Sequence, residues 1–385
     1  MTTATAAPRV GIVGAGQLAR MTYQAGISLG LTVRLLAASA DESAARVGAD
    51  VAIGSATSED ALAAFAAGCD ALTFDHELVD AGQLAALEAA RYCLRPAAAT
   101  MALAQNKRRQ RADLGALGFP MPAHRLVRNA AELGAFAAEH GWPVVAKASR
   151  GGYDGRGVWV LADADAAAAL LPEASARGLE LLAEAWVPIE REVAVLVARR
   201  PGGEAVVYPI VETVQRDGIC HELLVPAPIS PELAAAARTL GLAIAEAVGA
   251  TGILAVELFV SGGTPLINEL AARPHNSGHY SIEGCITSQF ENHLRAILDW
   301  PLGDTSLVAP AVATANVLGA STEDPHTRLP DALAVPGAHV HLYDKPARPG
   351  RKLGHVTTTG NDVMEARARA RQAAAILAGR DGQGT

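Results

Sequence analysis

Lys147 ends the apolar run Val144-Val145-Ala146, and Gly151, Gly152, Gly155 and Gly157 follow before a second run, Val158-Trp159-Val160-Leu161. Four glycines in seven residues let main-chain N–H groups approach a ligand without Cβ interference, the usual cradle for phosphates. The lysine adds a point charge that phosphates favour. An ordinary hairpin with a glycine-rich turn explains the spacing about equally well. Asp154 separates the two readings, because its carboxylate opposes phosphate unless it serves another ligand group or a metal. A turn that only reverses the chain has no need of Tyr153-Asp154 between its glycine pairs.

Glu257 and Glu269 lie on consecutive apolar strands joined by residues 261–265. A hairpin symmetrical about Gly263 sets one opposite the other. Like charges about 5 Å apart destabilise a strand pair, and burial adds to that. A divalent cation removes the conflict, and carboxylates with phosphate oxygens suit Mg²⁺. Placing both on a solvated face fits the surrounding Leu/Val/Phe/Ile pattern less well. A polar loop follows, Arg273-Pro274-His275-Asn276-Ser277-Gly278-His279. Its histidines have a zinc-like spacing, but Pro274 and Gly278 oppose the helix that would align them. Lys345, Arg348, Arg351 and Lys352 pack four cations into eight residues. A solvated turn accounts for them unless phosphate chemistry is already implied.

The elements that must carry these residues begin with a buried strand at 9–13 and a Gly14-Ala15-Gly16-Gln17-Leu18-Ala19 turn that opens a helix. This matches the dinucleotide fingerprint, so a nicotinamide or flavin oxidoreductase is a rival reading. The acid that should end the second strand is missing, since that strand ends Leu36-Ala37-Ala38-Ser39. The helix N-terminus still faces some anion. Strands at 31–36, 51–53 and 71–74, with a helix over 58–67, complete a doubly wound unit ending near Pro96. A charged helix over 105–117, a small α+β lid, paired strands at 192–198 and 205–212, a helix over 231–248 and strands at 253–260 and 265–270 follow. The spacing divides the chain into a Rossmann-like domain (1–104), a central domain (105–304, lid about 120–190) and a β-rich C-terminal piece (305–385) with a helix over 362–377.

Bulk properties exclude several classes. A net charge of −8 argues against general nucleic-acid binding, which needs a basic face. Cys69, Cys93, Cys220 and Cys285 are too scattered for a disulfide framework or a thiolate zinc site. Residues 1–8 lack a signal peptide's basic start and apolar core, and the uncharged run 305–322 does not read as a membrane span. A cytoplasmic enzyme is expected.

Lys147, the glycine loop, Glu184-Ala185-Trp186-Val187, Glu192 and the Glu257/Glu269 pair occur in the order used by ATP-grasp enzymes. Within that superfamily the chain closely resembles the 5-(carboxyamino)imidazole ribonucleotide synthases of purine synthesis, a family of bicarbonate-using ATP ligases. The resemblance spans almost the whole chain. Its most specific pieces are residues 150–157, Asn268-Glu269-Leu270-Ala271, residues 275–279 and residues 282–291. It implies an ATP-grasp fold behind the Rossmann-like domain, Mg²⁺, a homodimer, and ATP, bicarbonate and aminoimidazole ribonucleotide as substrates. Lys107, Lys147, Gly152, Tyr153, Asp154, Gly155, Arg156, Gly157, Val158, Gln215, Asn268 and Glu269 would then meet the nucleotide. Glu184, Ala185, Trp186 and Val187 would meet adenine, Glu192 the ribose, and Glu257 with Glu269 the metal. Asp154, Arg273, His275, Lys345 and Arg351 would act at the carboxylation site. Gln17, Glu77, Tyr153, Asn276, Ser277, Arg348 and Lys352 would hold the ribonucleotide. Departures from the family pattern fall at Lys107, where arginine is usual, at Val158, Gln215, and Asp75-His76-Glu77. A formate-using glycinamide ribonucleotide formyltransferase would share the ATP residues but not the 275–279 loop. A non-catalytic nucleotide-binding module is disfavoured by the presence of Lys147, Glu257 and Glu269 together.

Overall fold

The computed structural model describes residues 7–151 and 156–380, and three sheets organise them. The first is parallel, in the order Asp50–Ile53, Thr32–Ala37, Arg9–Val13, Ala71–Phe74. Its central strands are nearly continuous apolar runs, as strands covered on both faces must be. Helix Gln17–Ser28 leaves directly from the first strand.

The second sheet is antiparallel, in the order His124–Val127, Leu181–Ala185, Val144–Ala148, Val158–Leu161. Leu133, Phe136 and Ala137 of helix Ala130–His140, and Ala167, Leu170 and Ala174 of helix Ala164–Ala176, share one apolar cluster with it. This small unit presents Lys147 and Glu184 on neighbouring strands, two positions out of direct register.

The third sheet runs Thr264–Ala271, Gly252–Ser261, Arg191–Arg199, Val211–Arg216, Ile219–Val225, Ala311–Leu318, Lys352–Gly360, His339–Leu342, with Ala205–Val207 also on Arg191–Arg199. The strand expected over 205–212 is therefore two. Val207 pairs with Val197 but Val211 with Ala194, a one-residue slip, and Pro209 between them has no N–H to donate. The C-terminal β-rich piece adds no sheet of its own, because Ala311–Leu318 pairs with Ile219–Val225. Helix Val363–Ala378 covers that end with Ala366, Ala370, Ala373, Ala374, Leu377 and Ala378 buried. This 3.6-period stripe of small side chains permits close helix–sheet approach. Helix starts follow their caps: Ser58, Asn106 and Asp362 each accept a main-chain N–H. The helix expected over 105–117 accordingly begins at Lys107. Among the described residues no helix is long and apolar enough to cross a membrane.

Candidate active site

The hairpin formed by Gly252–Ser261 and Thr264–Ala271 pairs Glu257 with Glu269, but not for the reason that symmetry about Gly263 supplies. The turn is the two-residue Gly262-Gly263, with φ of 56° and 70°, closing on Ser261 opposite Thr264; both angles favour glycine in such hairpins. An unbroken ladder from that turn would oppose Glu257 with Asn268. A register shift between Glu257 and Leu258 makes Asn268 the extra residue, so Asn268 and Glu269 both fall against Glu257. Asn268 Nδ2 donates to Glu257 Oε2 at 3.4 Å. Burial, then the charges of Glu269 and Glu192, push the Glu257 carboxyl up to about 7. Burial also pushes Glu192 up to about 7. Glu269 meets Lys107 Nζ.

Lys147 is buried on Val144–Ala148. Its Nζ donates to Glu184 Oε2 at 2.7 Å and to Asn268 Oδ1 at 2.9 Å, 5.5 Å from the centre of the Phe259 ring. Burial holds the ammonium below the usual lysine range, with Glu184 opposing. Burial works against a charged Glu184 as well, but Lys147 and Arg111 together outweigh it and keep its carboxyl below the usual range. The Glu184 carboxylate thus faces Lys147 and Arg111. Any adenine contact by this stretch falls to its main chain and to Ala185, Trp186 and Val187, of which Trp186 is 49% exposed. Gly152, Tyr153, Asp154 and Gly155 lie outside the described residues. Arg156 and Gly157 follow them, Gly157 at φ 75°, and Val158 stands directly across from Lys147. Gln215 sits at a register shift on the strand beside that of Glu192.

Asn268 links this cation end to a third group. His275 Nε2 lies 3.4 Å from Glu257 Oε1; its Nδ1 and Ser277 Oγ are 2.8 Å apart, and its main-chain N–H donates to Gln289 Oε1 at 2.9 Å. Burial, then Arg273 and Lys352, push the imidazole down to about 3, so it is neutral at physiological pH. Arg273 Nε donates to Glu77 Oε2 at 2.8 Å. Buried Oδ1 of Asn276 and buried Oε1 of Glu77 have no hydrogen-bond partner among the described residues, leaving acceptors for a ligand's donors. Lys345 Nζ reaches across to Gln17 Oε1, and its ammonium stands 5.5 Å from the Tyr343 ring centre. Arg351 Nη1 donates to the Pro346 carbonyl at 3.1 Å, bracing its own turn. The Arg348 carbonyl would lie 2.6 Å from a Cβ at Gly319, which places its main chain against the neighbouring segment.

Residues that sequence reasoning passed over belong here too. The anion at the N-terminus of helix Gln17–Ser28 is the protein's own Asp75, whose Oδ2 accepts from Gly16 N–H at 2.5 Å. A Cβ at Gly14 would lie 1.8 Å from Asp75 Oδ1, so the Gly14-Ala15-Gly16 pattern makes room for a carboxylate rather than a dinucleotide pyrophosphate. Arg111, to which sequence reasoning gave no role, did carry a signal. It lies four residues after Lys107, on one helix face with it, and both are buried while Arg108 and Arg109 are exposed.

Three family models match consecutive stretches of the chain. Residues 7–105 match the ribonucleotide synthetase preATP-grasp domain, 112–290 the ATP-grasp domain, and 313–369 the phosphoribosylaminoimidazole carboxylase C-terminal domain. The N5-carboxyaminoimidazole ribonucleotide synthase of Mycobacterium tuberculosis is 47% identical over 375 residues, 96% of this chain and 87% of that protein. The synthase of Corynebacterium ammoniagenes is 45% identical over 383 residues, 96% and 92%. The crystal structure of an N5-carboxyaminoimidazole ribonucleotide synthetase in complex with ADP superposes at a TM-score of 0.90 with 34% identity, covering 99% of this chain and 100% of the other. The Aspergillus clavatus enzyme with ADP and 5-aminoimidazole ribonucleotide superposes at 0.88 with 32% identity, covering 96% and 98%. With its three domain families in this order and relatives near half-identical along almost its full length, the chain belongs to the N5-carboxyaminoimidazole ribonucleotide synthase family.

Proposed function

We propose that the protein is an ATP-dependent ligase that carboxylates 5-aminoimidazole ribonucleotide with bicarbonate, giving 5-(carboxyamino)imidazole ribonucleotide, ADP and phosphate. The observation that carries this is the linked run Lys147–Asn268–Glu257–His275. It joins a phosphate-binding cation, a crowded carboxylate pair and a neutral imidazole beside a half-buried arginine. Lys147, Lys107 and the glycine loop hold the triphosphate, Ala185 to Val187 the adenine and Glu192 the ribose. Bicarbonate oxygen attacks the γ-phosphorus, the bond to the β-phosphate oxygen breaks, and carboxyphosphate forms with ADP leaving. Arg273 holds the carboxylate end of that anion, and His275, neutral, completes its hydrogen bonding. The exocyclic amine then bonds to the carboxyl carbon, phosphate departs, and the amine loses a proton. Asp154 orients that amine and takes its proton. Lys345, Lys352 and Gln17 grip the ribonucleotide from the opposite side. A cytoplasmic location and a homodimer belong to the same proposal and rest on the family resemblance.

Glu257 and Glu269 fit a divalent cation. They are oxygen donors, and the Glu257 carboxyl is raised by burial first and by the facing Glu269 charge second. Two carboxylates leave the rest of a coordination shell to phosphate oxygens and water, which suits Mg²⁺. When bound it would neutralise charge on the transferring phosphoryl group. A pH dependence follows. Glu257 titrates at about 7 in the free protein and must be ionised to meet a cation, so binding of ADP with Mg²⁺ releases a proton below that value. Calorimetry should show affinity rising with pH up to about 7 and levelling above it. Glu257→Gln should lose that component, and an identical profile in the two proteins contradicts the assignment.

The 152–155 segment lies outside the described residues, but its chemistry is testable. Asp154→Asn substitutes a side chain equally capable of Asx-type bonding and removes the base and its charge. It should still bind ATP and form product at least about tenfold more slowly; wild-type product formation would make Asp154 a turn residue. The reaction as a whole is checked by ADP release. Release should require bicarbonate and rise further with aminoimidazole ribonucleotide, whereas release driven by formate and glycinamide ribonucleotide would favour the formyltransferase reading.

A further inference from the structure

Arg111 is 1% exposed, and its partners are as deeply buried: Glu184 at 2% and Lys147 at 5%. Arg111 Nε donates to Glu184 Oε1 at 2.7 Å, and Nη2 to the Asn268 carbonyl at 2.7 Å. The second Glu184 oxygen takes Lys147 Nζ at 2.7 Å, and Lys147 continues to Asn268 Oδ1 at 2.9 Å. Two buried cations therefore share one buried carboxylate, and Arg111 Nη1 has no hydrogen-bond partner among the described residues. A buried surplus of positive charge is unfavourable until an anion arrives. A carboxylate held from both oxygens has one orientation, whereas one held from a single side can turn. The trio also joins three elements: helix Lys107–Ala116, the small sheet at Val144–Ala148 and Leu181–Ala185, and hairpin strand Thr264–Ala271.

We infer that Arg111 is a positioning residue of the nucleotide site. By locking the Glu184 carboxylate it aims the Lys147 ammonium, and the trio's surplus charge is a preformed match for nucleotide phosphate. The inference rests on the reading of Lys147 as a phosphate ligand. Arg111 acts through Glu184 and Lys147, so its loss must show as a selective change in nucleotide affinity rather than as a general decline.

The test is steady-state kinetics with calorimetric ADP binding on Arg111→Gln, Arg111→Lys and Lys147→Met. Arg111→Gln should raise the ATP KM and the ADP Kd about tenfold, with the KM values for bicarbonate and aminoimidazole ribonucleotide within about twofold and kcat at saturating ATP nearly kept. Arg111→Lys, which can reach Glu184 or the Asn268 carbonyl but not both, should fall between. An equal rise in all three KM values with a lowered Tm would overturn the inference, leaving Arg111 a structural brace. Should Arg111→Gln fail to fold, Arg111→Lys decides, and a wild-type ATP KM there overturns it. Weakened ADP binding in Lys147→Met beside unchanged binding in the Arg111 variants refutes positioning alone. Unchanged binding in Lys147→Met refutes the phosphate reading itself.

Discussion

Glu269→Gln should abolish ATP turnover while leaving the fold and its melting temperature intact, or slightly raised. The amide has the shape of the carboxylate and can still accept from Lys107, so packing is preserved. The lost ion pair is part-exposed on the Glu269 side but buried on the Lys107 side, so its loss costs some stability, which the hydrogen bond kept by the amide oxygen limits. Relief of Glu257 acts the other way. Its carboxyl stands at about 7 partly because Glu269 faces it across the ladder, and removing that charge lowers the repulsion of the pair. What the amide cannot do is serve as the second anionic ligand of a divalent cation. The loss should persist at millimolar Mg²⁺ in an ADP-release assay, with thermal unfolding run in parallel. Full activity there would contradict the cation-bridge account, and a collapsed melting temperature would make Glu269 a structural residue.

Lys345→Met should raise the KM for aminoimidazole ribonucleotide about ten- to hundredfold, the equivalent of a charge-assisted contact of roughly 1.5–3 kcal/mol, with the ATP KM little changed. Methionine keeps an unbranched apolar stem and removes the ammonium together with its approach to the Tyr343 ring. That ammonium reaches the first domain at Gln17. Arg351→Ala should have a smaller effect, since its guanidinium braces the Pro346 carbonyl. An equal loss toward both substrates in Lys345→Met would mean that the turn supports the fold and does not select the ribonucleotide.

The sequence made some of this legible and hid the rest for identifiable reasons. Apolar flanks around Glu257 and Glu269 announced a facing carboxylate pair, half-buried in the structure, but the bulge that aligns them depends on main-chain pairing that no residue type at Asn268 advertises. Lys147 stood out because glycines follow it. Arg111 did not, because Asn106-Lys107-Arg108-Arg109-Gln110-Arg111 reads as a solvated helix until one knows that one face meets Glu184 and Asn268. The parallel unit was readable from local βα spacing. The joining of Ile219–Val225 to Ala311–Leu318 was not, since the partners lie some ninety residues apart and neither carries a turn signal toward the other. The Gly14-Ala15-Gly16 turn correctly forecast an anion at a helix N-terminus, yet nothing in the local sequence said that Asp75 would supply it.

The central claim is that ATP activates bicarbonate by phosphorylating it before the amine of aminoimidazole ribonucleotide is carboxylated. Bicarbonate labelled with ¹³C and ¹⁸O, incubated with the protein, ATP, Mg²⁺ and aminoimidazole ribonucleotide, tests both halves in one ¹³C and ³¹P NMR experiment. The account predicts a ¹³C-labelled carbamate on the exocyclic nitrogen and one ¹⁸O atom carried into each inorganic phosphate released. Labelled carbamate beside phosphate that carries no ¹⁸O from bicarbonate would contradict it.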